Sequence, residues 1–217
     1  MVNVEEIDVE GSPFDSYTSE GDSSVEAGVG KISLPSLRRL RVPVDCASIF
    51  KRCHIPGLED LTLTHTRYMN ECPLLTHLST IEKPDDDDVT MQLPTLRRIY
   101  ISHLTAGLAD SLLAFLLSPV GAGIEKLAFG TWAVSGLEKV LTFLASSGCR
   151  PSSNSYCVPR VLPGLRVLEL GGNLMEGGVL GRLGEVHHRL TVKAKRFHEY
   201  PQDIGFLLHR LRLDIQD

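Results

Sequence analysis

Cysteine and histidine residues in the first third of the chain have side chains that could bind zinc. Cys46, Cys53 and His54 lie close together, and Cys72 follows downstream. Structural zinc sites usually pair their cysteines at a spacing of about two to four residues, and Cys46 and Cys53 do not match that spacing. We therefore expect no metal site and interpret these cysteines as small residues packed near helix ends.

Other chemistry-bearing segments also lack the pattern that their chemistry needs. The four carboxylates at 85–88 lack the alternating spacing, central glycine and closing glutamate of a calcium loop. The glycine-rich segment 171–185 contains neither a phosphate loop nor a dinucleotide fingerprint. The sequence has no G-x-S-x-G nucleophile motif, and His187-His188 has no evident catalytic neighbour. We expect no cofactor and no enzyme activity.

A basic and aromatic cluster at 193–200 is the feature most suited to nucleic acid, but a short basic stretch more often forms a solvated edge. Nucleic-acid binding is therefore not expected. The longest apolar stretch, 104–124, is interrupted by Asp110, Pro119 and three glycines. A membrane span needs about 20 mostly apolar residues, so no membrane crossing is expected.

Charge divides the chain into two parts. Residues 1–30 contain eight acidic residues and no Lys or Arg, whereas 31–217 has a net charge of +3. The polar composition of 1–30 predicts a disordered acidic leader. A second hypothesis is that this leader folds over a basic face and competes with a partner.

The cysteine count and the start of the sequence bear on location. The five cysteines are odd in number and unevenly spaced, and the first residues lack the basic start and apolar run of a signal peptide. We expect reduced thiols and an intracellular protein, cytoplasmic or nuclear.

Internal repeats organise the rest of the chain. Three near-copies, LPSLRRL at 34–40, LPTLRRI at 93–99 and LPGLRVL at 162–168, match the template L-x-x-L-x-L. Weaker members begin at Leu58, Ile124 and Leu208, and two degenerate candidates contain Leu75/Leu78 and Leu190/Val192. Each x-L-x-L-x segment is predicted to form one strand of a parallel sheet. One repeat alone buries too little apolar surface to fold, so the repeats must stack.

Segments between the predicted strands supply the other layer. Apolar residues at helical spacing predict helices over 105–119 and 135–148, and shorter helical turns over 46–54 and 203–210. Polar loop insertions are expected near 79–92 and 148–161. The fold class is therefore α/β, with a leucine-rich-repeat solenoid over 31–217 in which helices and loops lie on the convex side of a curved parallel sheet.

The LPxLRxL strands, irregular repeat lengths and polar insertions resemble the repeat region of fungal F-box-like proteins, related to the ribonuclease-inhibitor type of leucine-rich repeat. The resemblance implies a non-catalytic protein-interaction domain that recognises substrates of a ubiquitin ligase. In that family an N-terminal helical F-box docks to the ligase adaptor. No F-box is seen here, because 1–33 is too short and polar for that bundle, so adaptor binding is not expected. The alternative is a free-standing structural or regulatory scaffold with no ubiquitin-ligase connection.

The binding site is expected on the open, concave face of the sheet, where the side chains between the leucines lie. Seven of the sixteen positions are Lys or Arg and only Asp60 and Glu169 are acidic, which indicates an acidic or phosphorylated protein partner. Tyr100 beside Arg98 is the best hot-spot candidate, because Tyr and Arg often carry interface energy. The alternative is that these positions are polar only because they face water. The predicted protein-binding residues are Arg39, Arg41, Arg98, Tyr100, Lys126, Arg189, Arg210 and Arg212.

Overall fold

The computed structural model describes residues 4–9, 32–44, 53–64, 71–79, 95–146, 149–151, 157–159, 162–174, 190–197 and 212–215. Within these ranges the chain forms twelve strands, three α-helices and a short 3-10 helix at Gly121–Gly123. The strands are β1 (Glu6–Asp8), β2 (Ile32–Ser33), β3 (Arg39–Pro43), β4 (Cys53–His54), β5 (Asp60–Thr64), β6 (Arg98–Leu104), β7 (Lys126–Trp132), β8 (Cys149–Pro151), β9 (Cys157–Pro159), β10 (Val167–Leu174), β11 (Thr191–Phe197) and β12 (Arg212–Ile215). The helices are α1 (Pro73–Ser79), α2 (Ala106–Leu116) and α3 (Val134–Ser146).

Eight of the described strands form one parallel sheet in the order β1-β3-β5-β6-β7-β10-β11-β12. The strands of this sheet lie side by side in the order in which they occur along the chain. The remaining four strands form two small sheets. In these, β2 pairs with β4 in parallel and β8 pairs with β9 antiparallel. The expected α/β class with a parallel sheet is confirmed.

The leucines of the repeat template lie in register across this sheet. Leu40 pairs with Leu61, Leu61 with Ile99, and Ile99 with Leu127. Side chains alternate between the two faces of a strand, so these residues form one row, and the residues on either side of each leucine lie on the opposite face. The row is at most 1% exposed over these positions. Stacking has therefore turned a sequence repeat into one continuous core.

A ladder of backbone hydrogen bonds joins the residues that immediately precede the strands. The Glu5 carbonyl accepts hydrogen bonds from the Arg38 and Arg39 amides, and the Arg38 carbonyl accepts from the Glu59 and Asp60 amides. The same two-to-one pattern continues through the Glu59, Arg97 and Glu125 carbonyls. The residues at this position alternate in charge: Glu5, Arg38, Glu59, Arg97, Glu125 and Arg166. Side-chain ion pairs join Arg38 to Glu59 and Arg97 to Glu125, so each pair carries opposite charges across one strand boundary.

Tight turns lead into the repeat strands. The amide of Leu37 donates to the Leu34 carbonyl, and that of Leu165 donates to the Leu162 carbonyl. Proline follows the first residue of each turn, where its fixed φ suits the second position of a β-turn. Among the described strands, the Leu-Pro signature is thus the local turn signal before β3 and β10.

Helices cover the leucine side of the sheet. Thr105 caps α2, because its hydroxyl accepts a hydrogen bond of 3.1 Å from the Leu108 amide. Leu108, Leu112 and Phe115 are fully buried on one face of this helix. The two long helices predicted from the sequence are confirmed as α2 and α3, whose ends differ by a few residues from those expected.

One predicted repeat is wrong. The pair Leu75/Leu78 lies in α1 and not in a strand, which leaves β5 and β6 as direct neighbours in the sheet. The spacing L-x-x-L fits both a repeat strand and one helical turn. Pro73 favours the helix, because proline is well tolerated in a first turn. The degenerate repeat at Leu190/Val192, in contrast, does provide a strand, β11.

Three further expectations differ from the structure. The sheet is not curled, whereas a curved one was expected. Solenoid curvature arises from a small rotation at every repeat, which requires similar packing behind every strand. In the described ranges helices follow only β5, β6 and β7, so this packing is not repeated along the sheet. The leader was expected to be disordered, but its described residues, 4–9, are ordered, because β1 pairs with β3 in the sheet. The turn of helix predicted over 46–54 is wrong at its end, because Cys53–His54 form β4; residues 46–52, the predicted turn at 203–210 and most of the 79–92 insertion lie outside the described residues.

Candidate functional site

The exposed sheet face lies opposite the helices and carries two rows of side chains. Residues paired in register with Arg39 form the first row, and residues paired with Arg41 form the second. The first row is Glu6, Arg39, Asp60, Arg98, Lys126, Val167 and Thr191, and the second is Asp8, Arg41, Thr62, Tyr100, Ala128, Glu169 and Lys193. Between β1 and β7 these rows line an open cleft of about 480 Å³.

Five of the eight predicted binding residues come together in this cleft. They are Arg39, Arg41, Arg98, Tyr100 and Lys126. Arg212 lies in β12 and pairs in register with Thr191, beyond the cleft. Arg189 and Arg210 lie outside the described residues. The cleft is built from repeats that begin at Leu37, Leu58, Leu96 and Ile124, which are separated by 21, 38 and 28 positions in the chain. Pairing in the sheet brings them together despite these unequal separations.

The cleft is charge-balanced and not simply basic. Each of its four cationic side chains lies near a carboxylate. Arg39 lies 3.4 Å from Glu6, and Arg41 lies 3.6 Å from Asp8. Lys126 lies 2.5 Å from Glu169 on β10. These carboxylates lower the positive potential that an incoming acidic ligand would meet.

Asp60 is the most enclosed of the carboxylates whose side chains the structure describes on this face. Its side chain is 23% exposed and lies between two arginines. Its Oδ1 lies 2.5 Å from Arg98 Nε, and its Oδ2 lies 3.8 Å from Arg39 Nε. A single carboxylate is thus the shared counter-charge of two guanidinium groups on the strands that flank β5.

Tyr100 is the exposed aromatic residue of the cleft and is 40% exposed. It stands between Thr62 and Ala128 in the second row. Its hydroxyl lies over Gly130, because a Cβ at that glycine would come within 2.6 Å of the hydroxyl oxygen. Ala128 is 3% exposed. Small residues on β7 therefore leave room for the tyrosine ring to lie along the sheet, with an edge available to a ligand.

Sequence reasoning did not single out Glu6 and Asp8, which lie in the cleft; it offered only the hypothesis that the acidic leader as a whole folds over a basic face. A signal was present in the spacing of Val4, Ile7 and Val9, which fits the aliphatic positions of the L-x-x-L-x-L template. None of the three is a leucine, and the pairing of β1 with β3 shows that the segment belongs to the sheet.

The described thiols are free and enclosed. Cys53 is partly buried and Cys72 is fully buried just before α1. Burial raises the pKa of both thiols above the ordinary value of 9.0, so both are protonated near neutral pH. The Cys72 amide donates to the Ser111 hydroxyl on α2 at 3.4 Å, and this packing near a helix end agrees with the role expected from the sequence. Cys53 lies in strand β4, so the same expectation is wrong for it.

Among the described residues, no cluster of three or more His, Cys, Asp or Glu side chains is arranged to hold a metal ion. No helix in the same ranges is long and apolar enough to cross a membrane. Comparison with protein-family models, curated proteins and solved structures found no match.

Proposed function

We propose that this chain is a leucine-rich-repeat module that binds a protein partner through the exposed sheet face. The observation that carries the proposal is the cleft itself, in which an exposed tyrosine, Tyr100, is flanked by Arg98 and Lys126 on a rigid parallel sheet. Tyrosine and arginine are enriched among the residues that carry interface energy. Sites built on regular elements hold their side chains more firmly than sites built on loops.

The repeat assignment is supported by the stacking of equivalent positions. Leu40, Leu61, Ile99 and Leu127 share one register, and the double acceptance by one backbone carbonyl recurs from strand to strand. A stack of this kind presents one side-chain row per template position. Recognition then depends on which residues occupy the rows and not on any single loop.

The charge balance specifies the proposed partner more closely than composition does. The cationic groups are already paired, so a ligand gains from them by replacing a carboxylate of this chain with one of its own. An acidic or phosphorylated protein segment fits this requirement, because phosphate and carboxylate both accept paired hydrogen bonds from arginine. Affinity should come from contact with Tyr100, with the charges deciding orientation and specificity.

The resemblance of the repeats to those of F-box-like proteins supports substrate recognition for a ubiquitin ligase as the cellular role, without catalysis by this chain. A free-standing scaffold is the alternative. The free thiols of Cys53 and Cys72 support a reducing, intracellular setting, cytoplasmic or nuclear. Substrate recognition and scaffolding would use the same face. The two roles differ in which other proteins are found in the complex with the partner.

The test is affinity purification of the full chain from its native cells after mild crosslinking, with quantitative mass spectrometry. Tyr100→Ala should deplete the specific partner about tenfold or more, which is the scale of a hot-spot truncation. Leu117→Ala is the matched control, since Leu117 is 64% exposed at the end of α2 on the helix layer. Loss of the partner in the Leu117 variant but not in the Tyr100 variant would contradict the proposal. Ligase subunits in the purified complex would favour substrate recognition, and their absence would favour the scaffold.

A further inference from the structure

Strand β1 occupies the edge of the repeat sheet in the manner of a bound peptide. Its backbone is held from both ends, because the Glu5 carbonyl accepts from the Arg38 and Arg39 amides at 2.9 and 3.1 Å. The Val9 amide donates to the Arg41 carbonyl at 2.9 Å. An extended segment that adds to a sheet edge gains its affinity from such main-chain bonds and its specificity from alternate side chains.

The side chains of β1 show which sequence this edge accepts. Glu6 and Asp8 point to the exposed face and lie near Arg39 and Arg41, at 3.4 and 3.6 Å. Ile7 alternates with them and packs, half-buried, against the core. Val4 and Val9 pack against the same core from the two flanks. The bound pattern is therefore acid, aliphatic, acid, with further aliphatic residues on both sides.

The contacts of β1 are few compared with those inside the repeats. It pairs with β3 over three positions, whereas β3 pairs with β5 over five. Its ion pairs are exposed, with Glu6 at 60% and Arg39 at 64%. Exposed ion pairs hold weakly and are screened by salt. Leaving the edge would break the contacts of β1 while the β3–β5 pairing, and the strands beyond it, stay in place.

We propose that the β3 edge is a receptor for an extended acid–aliphatic–acid segment of a partner protein, and that the leader strand β1 occupies it in cis until the partner replaces it. The proposal rests on the proposed function, because it assigns the partner's entry point and its regulation to the same cleft. The partner's acids would take the places of Glu6 and Asp8 beside Arg39 and Arg41. Its aliphatic residue would replace Ile7. The leader thereby reduces the apparent affinity for the partner, because only the fraction of molecules whose β3 edge is free can bind it.

The test uses the full chain and a fluorescently labelled peptide with the sequence of residues 2–10, VNVEEIDVE. The double variant Glu6→Arg with Asp8→Arg places cations beside Arg39 and Arg41 and should release β1. We expect the peptide to bind this variant about tenfold more tightly than the unaltered chain. The matched control, Glu71→Arg with Glu138→Arg, changes the net charge equally at two exposed positions on the helix side and should bind like the unaltered chain. A peptide with lysine at each acidic position should not bind.

Amide hydrogen exchange provides a second measurement on the same proteins. Protection of the Val9 amide should fall in the double variant and stay unchanged in the control. Exchange at the Leu61 and Ile99 amides should be alike in both, which shows that the repeats remain folded. Unchanged protection of Val9 would overturn the proposal, because β1 would then not depend on these ion pairs.

Other results of the peptide-binding experiment would also overturn the proposal. Equal peptide affinity for all three proteins, or no binding to the double variant, would show that the edge is not a receptor. Dimers of the unaltered chain that exchange leaders would make a second copy the occupant and overturn the partner assignment. Leu117→Ala should not change peptide binding, since Leu117 lies at the end of α2 on the helix layer. If the peptide does not bind the double variant while Tyr100→Ala still loses its cellular partner, the proposed function stands without this inference.

Discussion

Asp60 Oδ1 contacts Arg98 Nε at 2.5 Å across the boundary between β5 and β6. The second oxygen of the carboxylate faces Arg39 on the other side, at 3.8 Å. Asp60 is the least exposed member of this trio, at 23%. Two like charges on strands flanking β5 are thus held by one shared counter-charge.

Replacing Asp60 with Asn should therefore destabilise the chain more than loss of an ordinary surface pair. Both ion pairs disappear and the two arginines lose their shared carboxylate, so we expect a loss of about 1 kcal/mol in the free energy of unfolding. Urea denaturation followed by circular dichroism measures it. Glu125→Gln is the control, because it removes a single, more exposed pair at 3.6 Å from Arg97. Equal losses in the two variants would contradict the shared role of Asp60.

Gly130→Ala should destabilise the sheet beneath Tyr100. The added Cβ would lie 2.6 Å from the Tyr100 hydroxyl and 2.7 Å from the Ser102 carbonyl oxygen. The side chain can swing away but the backbone of β6 cannot, so we expect a cost of about 1–3 kcal/mol. Thermal or urea unfolding checks it. Gly164→Ala serves as the control, since the nearest atom to its Cβ is 3.6 Å away. A harmless Gly130→Ala would show that β6 and β7 can separate without loss.

Thr105→Ala should lower stability by removing the cap of α2. The Leu108 amide would lose its 3.1 Å hydrogen bond to the threonine hydroxyl, and caps of this kind contribute about 1 kcal/mol. Thr105→Ser keeps the hydroxyl and should retain most of the stability. The comparison of the two unfolding curves is the measurement, and equal losses would assign the effect to the threonine methyl group.

Cys72 should make stability depend on alkaline pH. Desolvation by burial raises the pKa of its thiol above 9.0, while hydrogen bonds from the Leu75 and Leu74 amides lower it to a smaller extent. The folded state therefore favours the neutral thiol. This contribution is fully present below pH 9.0 and is lost as the pH rises through the higher folded pKa. Urea unfolding of the unaltered chain should weaken more steeply above about pH 9 than that of Cys72→Ala. Parallel curves would show that the buried thiolate is tolerated.

Much of the fold follows from local patterns. The Leu-Pro turns and the L-x-x-L-x-L spacing predicted six strands that belong to the main sheet, and helical spacing predicted α2 and α3. Leu75 and Leu78 were misassigned because two leucines three residues apart satisfy a strand template and a helical turn equally well. Only the direct pairing of Asp60 with Arg98 shows that no strand stands between β5 and β6.

The candidate site was predictable in position but not in charge. Arg39, Arg41, Arg98, Tyr100 and Lys126 were placed on one face by the repeat template, since equivalent positions of stacked strands share a face. Asp60 and Glu169 were placed on the same face, but the pairing of every cation with a carboxylate was not predicted. Glu6 reaches Arg39 across 33 positions of sequence, and an ion pair at that separation leaves no periodic signal.

By itself, the sequence determined the repeating unit, because turn chemistry and side-chain periodicity act over a few neighbouring residues. The tertiary structure decided what each unit meets. It placed the acidic leader against β3, made Asp60 the shared counter-ion of two arginines, and seated Tyr100 over Gly130. The reason is physical: parallel strands are joined through long crossovers, so the neighbours of a side chain on the sheet come from distant parts of the chain and are selected only when the repeats stack.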